Sequence, residues 1–205
     1  MDDAKNTIAL LILAAGSSSR MGTPKQLLPW GNTTLLGNAI HNAKTTGITD
    51  IYVVVGANAS QILETAHTDG IQIIKNPLWK QGLGTSIAMG IRHFNAKAKD
   101  YNGVLVMLCD QPLVDSDYLN QMIISFQTEE KSIIATAYDK RIGVPALFNN
   151  TYFEALAKLN MDYGAKEILK ANKHMLKALN PLGKAIDVDT MAEYEKLKTS
   201  VFGKN

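Results

Sequence analysis

Three patterns in the sequence predict an α/β fold, a single-domain, doubly wound and mostly parallel Rossmann-like sheet spanning residues 1–205. Apolar runs without polar alternation recur along the chain, amphipathic helical segments separate them, and a loop of small residues and glycines follows the first run. Continuous apolar runs suit strands covered on both faces, as happens when helices lie on either side of a parallel sheet.

The first strand is expected over Thr7 to Leu13, reading TIALLIL. Thr34 can then cap a helix whose apolar face carries Leu35, Leu36, Ala39, Ile40 and Ala43 and which stops at Gly47. Further strands are expected over Asp50 to Val55, Ile71 to Ile74, Gly103 to Leu108 and Ser132 to Tyr138, each bounded by turn residues. Helices over Ser60 to Ala66, Thr85 to Phe94 and Asp117 to Phe126 fill the intervals, and right-handed crossovers place them on both sheet faces. Beyond Tyr138 the pattern loosens into short elements around Val144 to Phe148, helices from Tyr152 and from Ala165, an edge strand at His174 to Leu179 and a last helix from Met191.

Composition narrows the function. Hydrophobic residues make up 46% of the 205 residues and charged residues 20%, enough apolar surface for one core. A formal net charge of +2 without a long basic run argues against a nucleic-acid partner. The lone cysteine, Cys109, fits a reducing, cytoplasmic setting. The apolar stretch Ile8 to Ala15 is too short for a membrane span and follows Asp2 and Asp3, so neither export nor a membrane anchor is expected.

Open parallel sheets bind ligands at the carboxyl ends of their strands, which directs attention to the first loop. Ala14 to Lys25 holds small residues, Gly16, Gly22 and the cations Arg20 and Lys25. Small side chains let backbone amides approach an anion, and the two cations neutralise charge that the amides do not, so a polyphosphate is the natural ligand. The spacing is neither a dinucleotide fingerprint nor a P-loop. A second loop, Asn76 to Ser86, carries Gly82 and Gly84 for tight turns, and Thr85 or Ser86 is expected to start a helix with its amides toward the site. Trp79 either stacks on a flat ring or simply packs.

A bound polyphosphate needs its charge neutralised, and Mg²⁺, an oxygen-seeking ion held by one or two carboxylates plus the ligand's phosphates, does this. Asp110 follows the GVLVMLC run and should project over the bound phosphates, although a strand-end aspartate also serves to cap a turn. In Asp187-Val188-Asp189-Thr190 alternate side chains face one way, so either aspartate could reach the metal, while Asp189 could equally cap the last helix. A phosphate acceptor is already ionised near neutral pH and needs no general base. His41, His67, His93 and His174 lie scattered without ligand spacing.

The segment LAAGSSSRMGTPKQLLPW, Leu13 to Trp30, resembles the signature of the MobA/MocA-like nucleotidyltransferases, molybdenum cofactor cytidylyltransferases in particular. The likeness continues through VVVGANA, NPLWKQGLGTSIAMGI, LCDQPLV, GVPALF and DVDT, nearly the whole chain. The resemblance implies a loop wrapped around the triphosphate with Lys25 on the phosphates, Asp110 as a metal ligand and Asp189 as the second, with Arg20, Lys25 and Asp110 as the catalytic set. It implies nucleotide contacts from Leu13, Ala14, Ala15, Gly16, Ser17, Ser18, Arg20, Met21, Gly22 and Lys25, and from Gly56, Asn76, Gly84, Ser86 and Asp110.

The implied cofactor is Mg²⁺. The implied substrates are CTP and a molybdopterin-type acceptor, with pyrophosphate released and transient contact with a molybdoenzyme or its maturation chaperone. Guanylyl transfer to the same acceptor, a sugar- or polyol-phosphate acceptor, and a non-catalytic cofactor-delivery module are the alternatives. The segment Asp162 to Lys166 is similar to the family's GDxGA element near the acceptor, with Met161 where the family usually carries glycine. Ala15 stands where guanylyl-transferring relatives tend to carry glycine (LAAG against LAGG), and its methyl should disfavour a purine, so CTP is expected over GTP.

Overall fold

A computed structural model describes residues 7–65, 70–97, 99–161 and 164–203. In chain order these form β1 (Ile8–Ala14), a two-strand hairpin β2 (Pro29–Trp30) and β3 (Thr33–Thr34), α1 (Leu35–Thr45), β4 (Ile51–Val55), α2 (Ala59–Thr65), β5 (Gln72–Lys75), α3 (Leu83–Asn95), β6 (Gly103–Leu108) and α4 (Ser116–Thr128). The remainder gives β7 (Ile133–Ala137), β8 (Ile142–Asn149), α5 (Phe153–Ala157), α6 (Lys166–Ala171), β9 (Leu176–Leu179) and α7 (Met191–Phe202). The main sheet has seven strands in the order β5-β4-β1-β6-β8-β7-β9, and β8 alone runs against the others. The expected single-domain, mostly parallel α/β sheet is therefore the observed one. Ala66 and His67, which the sequence reading used, lie outside the described residues, as do Asp162 and Tyr163.

β1 lies inside the sheet between β4 and β6, and every one of its residues is buried. Its alternate side chains divide the core. Ile8, Leu10, Ile12 and Ala14 meet α1 and α4 on one face, whereas Ala9, Leu11 and Leu13 meet Ile87, Ile91 and Phe94 of α3 on the other. Burying each such leucine or isoleucine contributes about 1.5–3 kcal/mol. Thr34 caps α1 as expected, its hydroxyl accepting from the Gly37 amide at 3.0 Å.

Two expectations need correction. The region around Val144 to Phe148 is not a set of short elements but an eight-residue strand inside the sheet, paired with β6 and β7. Its pattern looked loose because pairing jumps from Ala135↔Ala146 to Thr136↔Gly143, leaving Val144 and Pro145 in a bulge where the proline's missing N–H costs no ladder bond. Second, α3 begins at Leu83, before Thr85, with Gly82 in the cap position.

A third apolar cluster lies outside the sheet. Met21, Leu28, Trp30 and Leu35 pack against Val188 and Tyr194, which fastens the first loop to the segment entering α7. The Trp30 ring also meets Phe202 edge-on at 5.1 Å. Among the described residues no helix is long and apolar enough to cross a membrane.

Candidate active site

Parallel pairing sets Leu13 beside Leu108, so the loops leaving β1 and β6 emerge next to each other. Between them and the start of α3 lies a cleft of about 360 Å³. Leu13, Ala14, Ala15, Gly16 and Ser17 form one wall, Leu108, Cys109 and Asp110 the floor, and Trp79, Leu83 and Ser86 the opposite side. This is the strand-end position where α/β sheets bind ligands.

The first loop is folded from its far end. Pro24 opens a short 3₁₀ turn over Lys25–Leu27, in which the Leu27 amide donates to Pro24 O at 3.0 Å. The Ser18 hydroxyl accepts from the Lys25 amide at 2.9 Å, which draws the loop back over that turn. The turn aims Lys25 into the cleft, where its Nζ ion-pairs with Asp110, donates to Asp189 Oδ1 at 3.2 Å and to Val188 O at 3.3 Å. Arg20 reaches the other oxygen of Asp189 at 3.2 Å from a mostly exposed position.

Asp110 and Asp189 thus converge on one point although 79 positions separate them in the sequence. Two local features bring this about. The Val188 amide donates to Asp110 O at 2.9 Å, tying the Asp187–Asp189 segment to the end of β6. The α7 cap is Thr190, with Glu193 completing a capping box, so Asp189 is released from the capping role and its side chain turns to Lys25. Asp110 likewise caps nothing, since the α4 cap is Asp115, which accepts from the Tyr118 amide at 3.0 Å. Asp187 faces elsewhere. It accepts from Gln111 Nε2 at 2.7 Å and pairs with Arg141 at 3.2 Å.

The electrostatics follow from burial and sign. Lys25 and Asp110 side chains are each 14% exposed. Burial pulls the Lys25 ammonium down, but Asp110, Cys109 and Asp189 outweigh it, and the group is held above its ordinary value. Burial pushes the Asp110 carboxyl up, and the charges of Asp187 and Asp189 add to this despite Lys25. Asp189 is the reverse case, for burial raises it but Lys25 and Arg20 prevail and hold it below the usual carboxylate range. The Cys109 thiol, 3% exposed at the cleft floor, is pushed well up by burial.

The fate of each remaining candidate residue is specific. The Met21 side chain belongs to the third apolar cluster and turns away from the cleft. Asn76 is 2% exposed, and its Nδ2 donates to Thr85 Oγ1 at 2.9 Å and Ser86 Oγ at 3.0 Å while its Oδ1 accepts from the Leu78 amide at 2.9 Å. Its side chain therefore braces the start of α3, and Ser86 alone of the three lines the cleft. Gly56 stands behind the wall, where a β-carbon would fall 2.6 Å from Ala15 O and 2.7 Å from Trp79 Cβ. The expectation that the first amides of α3 are open to the site is corrected by Gly84, whose amide donates to Met161 O at 3.0 Å. Met161 adopts φ 63°, the left-handed conformation that explains why glycine suits that position.

Sequence reading missed Gln26. It is 1% exposed, and its Nε2 donates to Ala14 O and Gly16 O at 2.9 Å each. The signal was a single polar residue between Lys25 and two leucines, in a segment that had to pack.

Comparison with known proteins completes the assignment. The pattern of the MobA-like NTP transferase domain matches residues 10–177. This chain belongs to the MobA-like NTP transferase family. The MobA-like chain is 28% identical over 198 residues to nicotine blue oxidoreductase of Paenarthrobacter nicotinovorans, covering 91% of this chain and 94% of the relative. It is 25% identical over 206 residues to the purine catabolism protein PucB of Bacillus subtilis (strain 168), covering 93% and 96%. Among solved structures, Rv0371C of Mycobacterium tuberculosis H37Rv in complex with manganese aligns with a TM-score of 0.75 at 27% identity, over 95% of this chain and 98% of that one.

The residues of this MobA-like site fit a divalent cation. Asp110 and Asp189 already share one cation, the Lys25 ammonium, and Asp110 Oδ1 is buried without a partner. Among the described residues no three His, Cys, Asp or Glu side chains cluster as a complete cage. Two carboxylates suit a hard divalent ion that takes its other ligands from water and substrate phosphates.

Proposed function

We propose that the whole chain, residues 1–205, works as one cytoplasmic nucleotidyltransferase domain that moves CMP from CTP onto the terminal phosphate of a molybdopterin-type acceptor and releases pyrophosphate. The observation that carries the reading is the convergence of Lys25, Asp110 and Asp189 at the floor of a cleft walled by the small-residue loop. A divalent ion, Mg²⁺ in this reading, would be held by Asp110 and Asp189 and would withdraw charge from the α-phosphate and the leaving pyrophosphate. Lys25 then moves its charge from the carboxylates to the phosphates, a short displacement for a flexible side chain. Arg20, mostly exposed at the loop's tip, closes over the departing pyrophosphate. The acceptor phosphate attacks the α-phosphate in line, unassisted by a base, and positioning supplies most of the rate.

The base would rest against Ala15, a cleft-lining residue 7% exposed, whose methyl takes space that glycine would leave open. That supports CTP over GTP. The acceptor rests on the family's LAAG, LCDQP and DVDT segments, and delivery of the product to a molybdoenzyme or its maturation chaperone follows from the same reading. The name of the Paenarthrobacter relative raises a second reading, an oxidoreductase on the same fold. One experiment separates them: purified protein with each nucleoside triphosphate, Mg²⁺ and molybdopterin, followed for pyrophosphate. Release that needs all three components supports transfer. Turnover of a reduced nicotinamide cofactor without pyrophosphate release supports the oxidoreductase instead.

A further inference from the structure

We infer that Gln26 is a positioning residue that aims the first loop's amides at the anion, a role that rests on the nucleotide reading above and specifies how the loop achieves it. In a planar trans peptide the carbonyl oxygen and the following amide hydrogen point in opposite directions. Gln26 Nε2 uses both its hydrogens on Ala14 O and Gly16 O, and the Ala57 amide donates to Ala15 O at 3.1 Å. Three successive carbonyls are thereby turned into the protein. The amides of Ala15 and Ser17 must point away from Gln26, and that of Gly16 away from Ala57. Among the described residues no protein acceptor takes the Gly16 or Ser17 amide.

All three residues line the cleft, and a β-carbon built at Gly16 would meet no protein atom within 4 Å. The Gly16 and Ser17 amides run into Ser18, whose left-handed φ of 56° gives the turn in which successive amides accept an anion. Without the clamp the same carbonyls could rotate toward the phosphates and repel them. The turn at Lys25–Leu27 therefore has two outputs: Lys25 delivers the cation to the cleft floor, and its neighbour Gln26, from the buried side, orients the wall. Ser18 Oγ, 3.4 Å from Gln26 Oε1, completes the glutamine's contacts.

The probe is inorganic tripolyphosphate, titrated by calorimetry into the wild type, Gln26→Glu and Gln26→Met well below their melting temperatures. Glutamate keeps the shape and removes the donors, and methionine keeps the length without any polar group. Both variants should bind tripolyphosphate about tenfold or more weakly, the equivalent of one to two hydrogen bonds. KM for the nucleotide should rise in step, while kcat at saturating nucleotide and KM for the acceptor stay within about twofold. A folded variant with wild-type tripolyphosphate affinity overturns the role. Should both variants fail to fold, amide chemical shifts in the wild type decide: tripolyphosphate should move the Gly16 and Ser17 resonances, and unmoved resonances overturn it. A wild type that binds no polyphosphate at all overturns the nucleotide reading itself, a separate and recognisable outcome.

Discussion

Replacing Lys25 with methionine should make the stability of this protein depend on a divalent ion. Among the described residues Lys25 is the positive group that pairs with the mostly buried Asp110, with Asp189 as its second contact at 3.2 Å. Breaking a buried pair by removing one partner costs about 3–5 kcal/mol. The Asp189 contact, 41% exposed on the carboxylate side, adds less than about 1 kcal/mol after solvent screening. A loss near 3 kcal/mol corresponds to a fall in Tm of roughly 6–12 °C for a chain of this size.

An ion bound at about a hundred times its dissociation constant restores roughly 2.7 kcal/mol, so saturating Mg²⁺ or Mn²⁺ should return most of the loss. In the wild type the same ion must displace the ammonium and should raise Tm much less. The sign with pH is also fixed. A carboxyl whose folded pKa is raised, as burial raises that of Asp110, contributes its stability when protonated and loses it as pH climbs through that pKa. The metal-free deficit of the variant should therefore grow from acid toward neutral pH. Scanning calorimetry of both proteins with and without metal, at several pH values, measures this. Equal gains from metal in the wild type and the variant would refute the placement of Lys25 at the ion's position.

Asp110→Asn should abolish pyrophosphate release in a folded protein, Asp189→Asn should weaken it strongly and Asp187→Asn mildly; steady-state rates at saturating Mg²⁺ test the order, and a larger loss in Asp187→Asn would reverse the assignment of the second carboxylate. Ala15→Gly should shift the ratio of kcat/KM for CTP over GTP toward GTP by roughly 1–3 kcal/mol or less, measured with one acceptor. Although burial raises it, Asp115 is held below the ordinary carboxylate value by Lys184 and the Tyr118 amide, so its contribution is present above about pH 4 and lost as pH falls further. Asp115→Asn, which keeps the cap, should be less stable than the wild type at pH 6 and converge with it near pH 3 in urea titrations.

The parts of the site that could be read in the sequence are those that follow from strand periodicity. β1 and β6 are buried on both faces, so their runs end sharply and place Ala14 and Asp110 at the sheet's carboxyl edge. The choice between Asp187 and Asp189 was not readable from alternation, because it is made by tertiary contacts: Gln111 and Arg141 take the first, Lys25 and Arg20 the second. One local clue was present, the Thr190-to-Glu193 spacing of a capping box, which frees Asp189 from the helix. Gln26 was hidden for a different reason. A lone glutamine reads as solvent-exposed until its burial is known, and burial then obliges it to find partners. β8 was obscured by its own proline bulge, a defect in the pattern rather than in the strand.

Following the α-phosphate tests most directly whether this cleft transfers a nucleotidyl group. CTP labelled at the α-phosphorus, incubated with the protein, Mg²⁺ and molybdopterin, should place the label on the acceptor with one pyrophosphate released per label transferred, and Asp110→Asn should do neither. Label that remains in CTP, or that appears only as free CMP whether or not acceptor is present, would contradict the account.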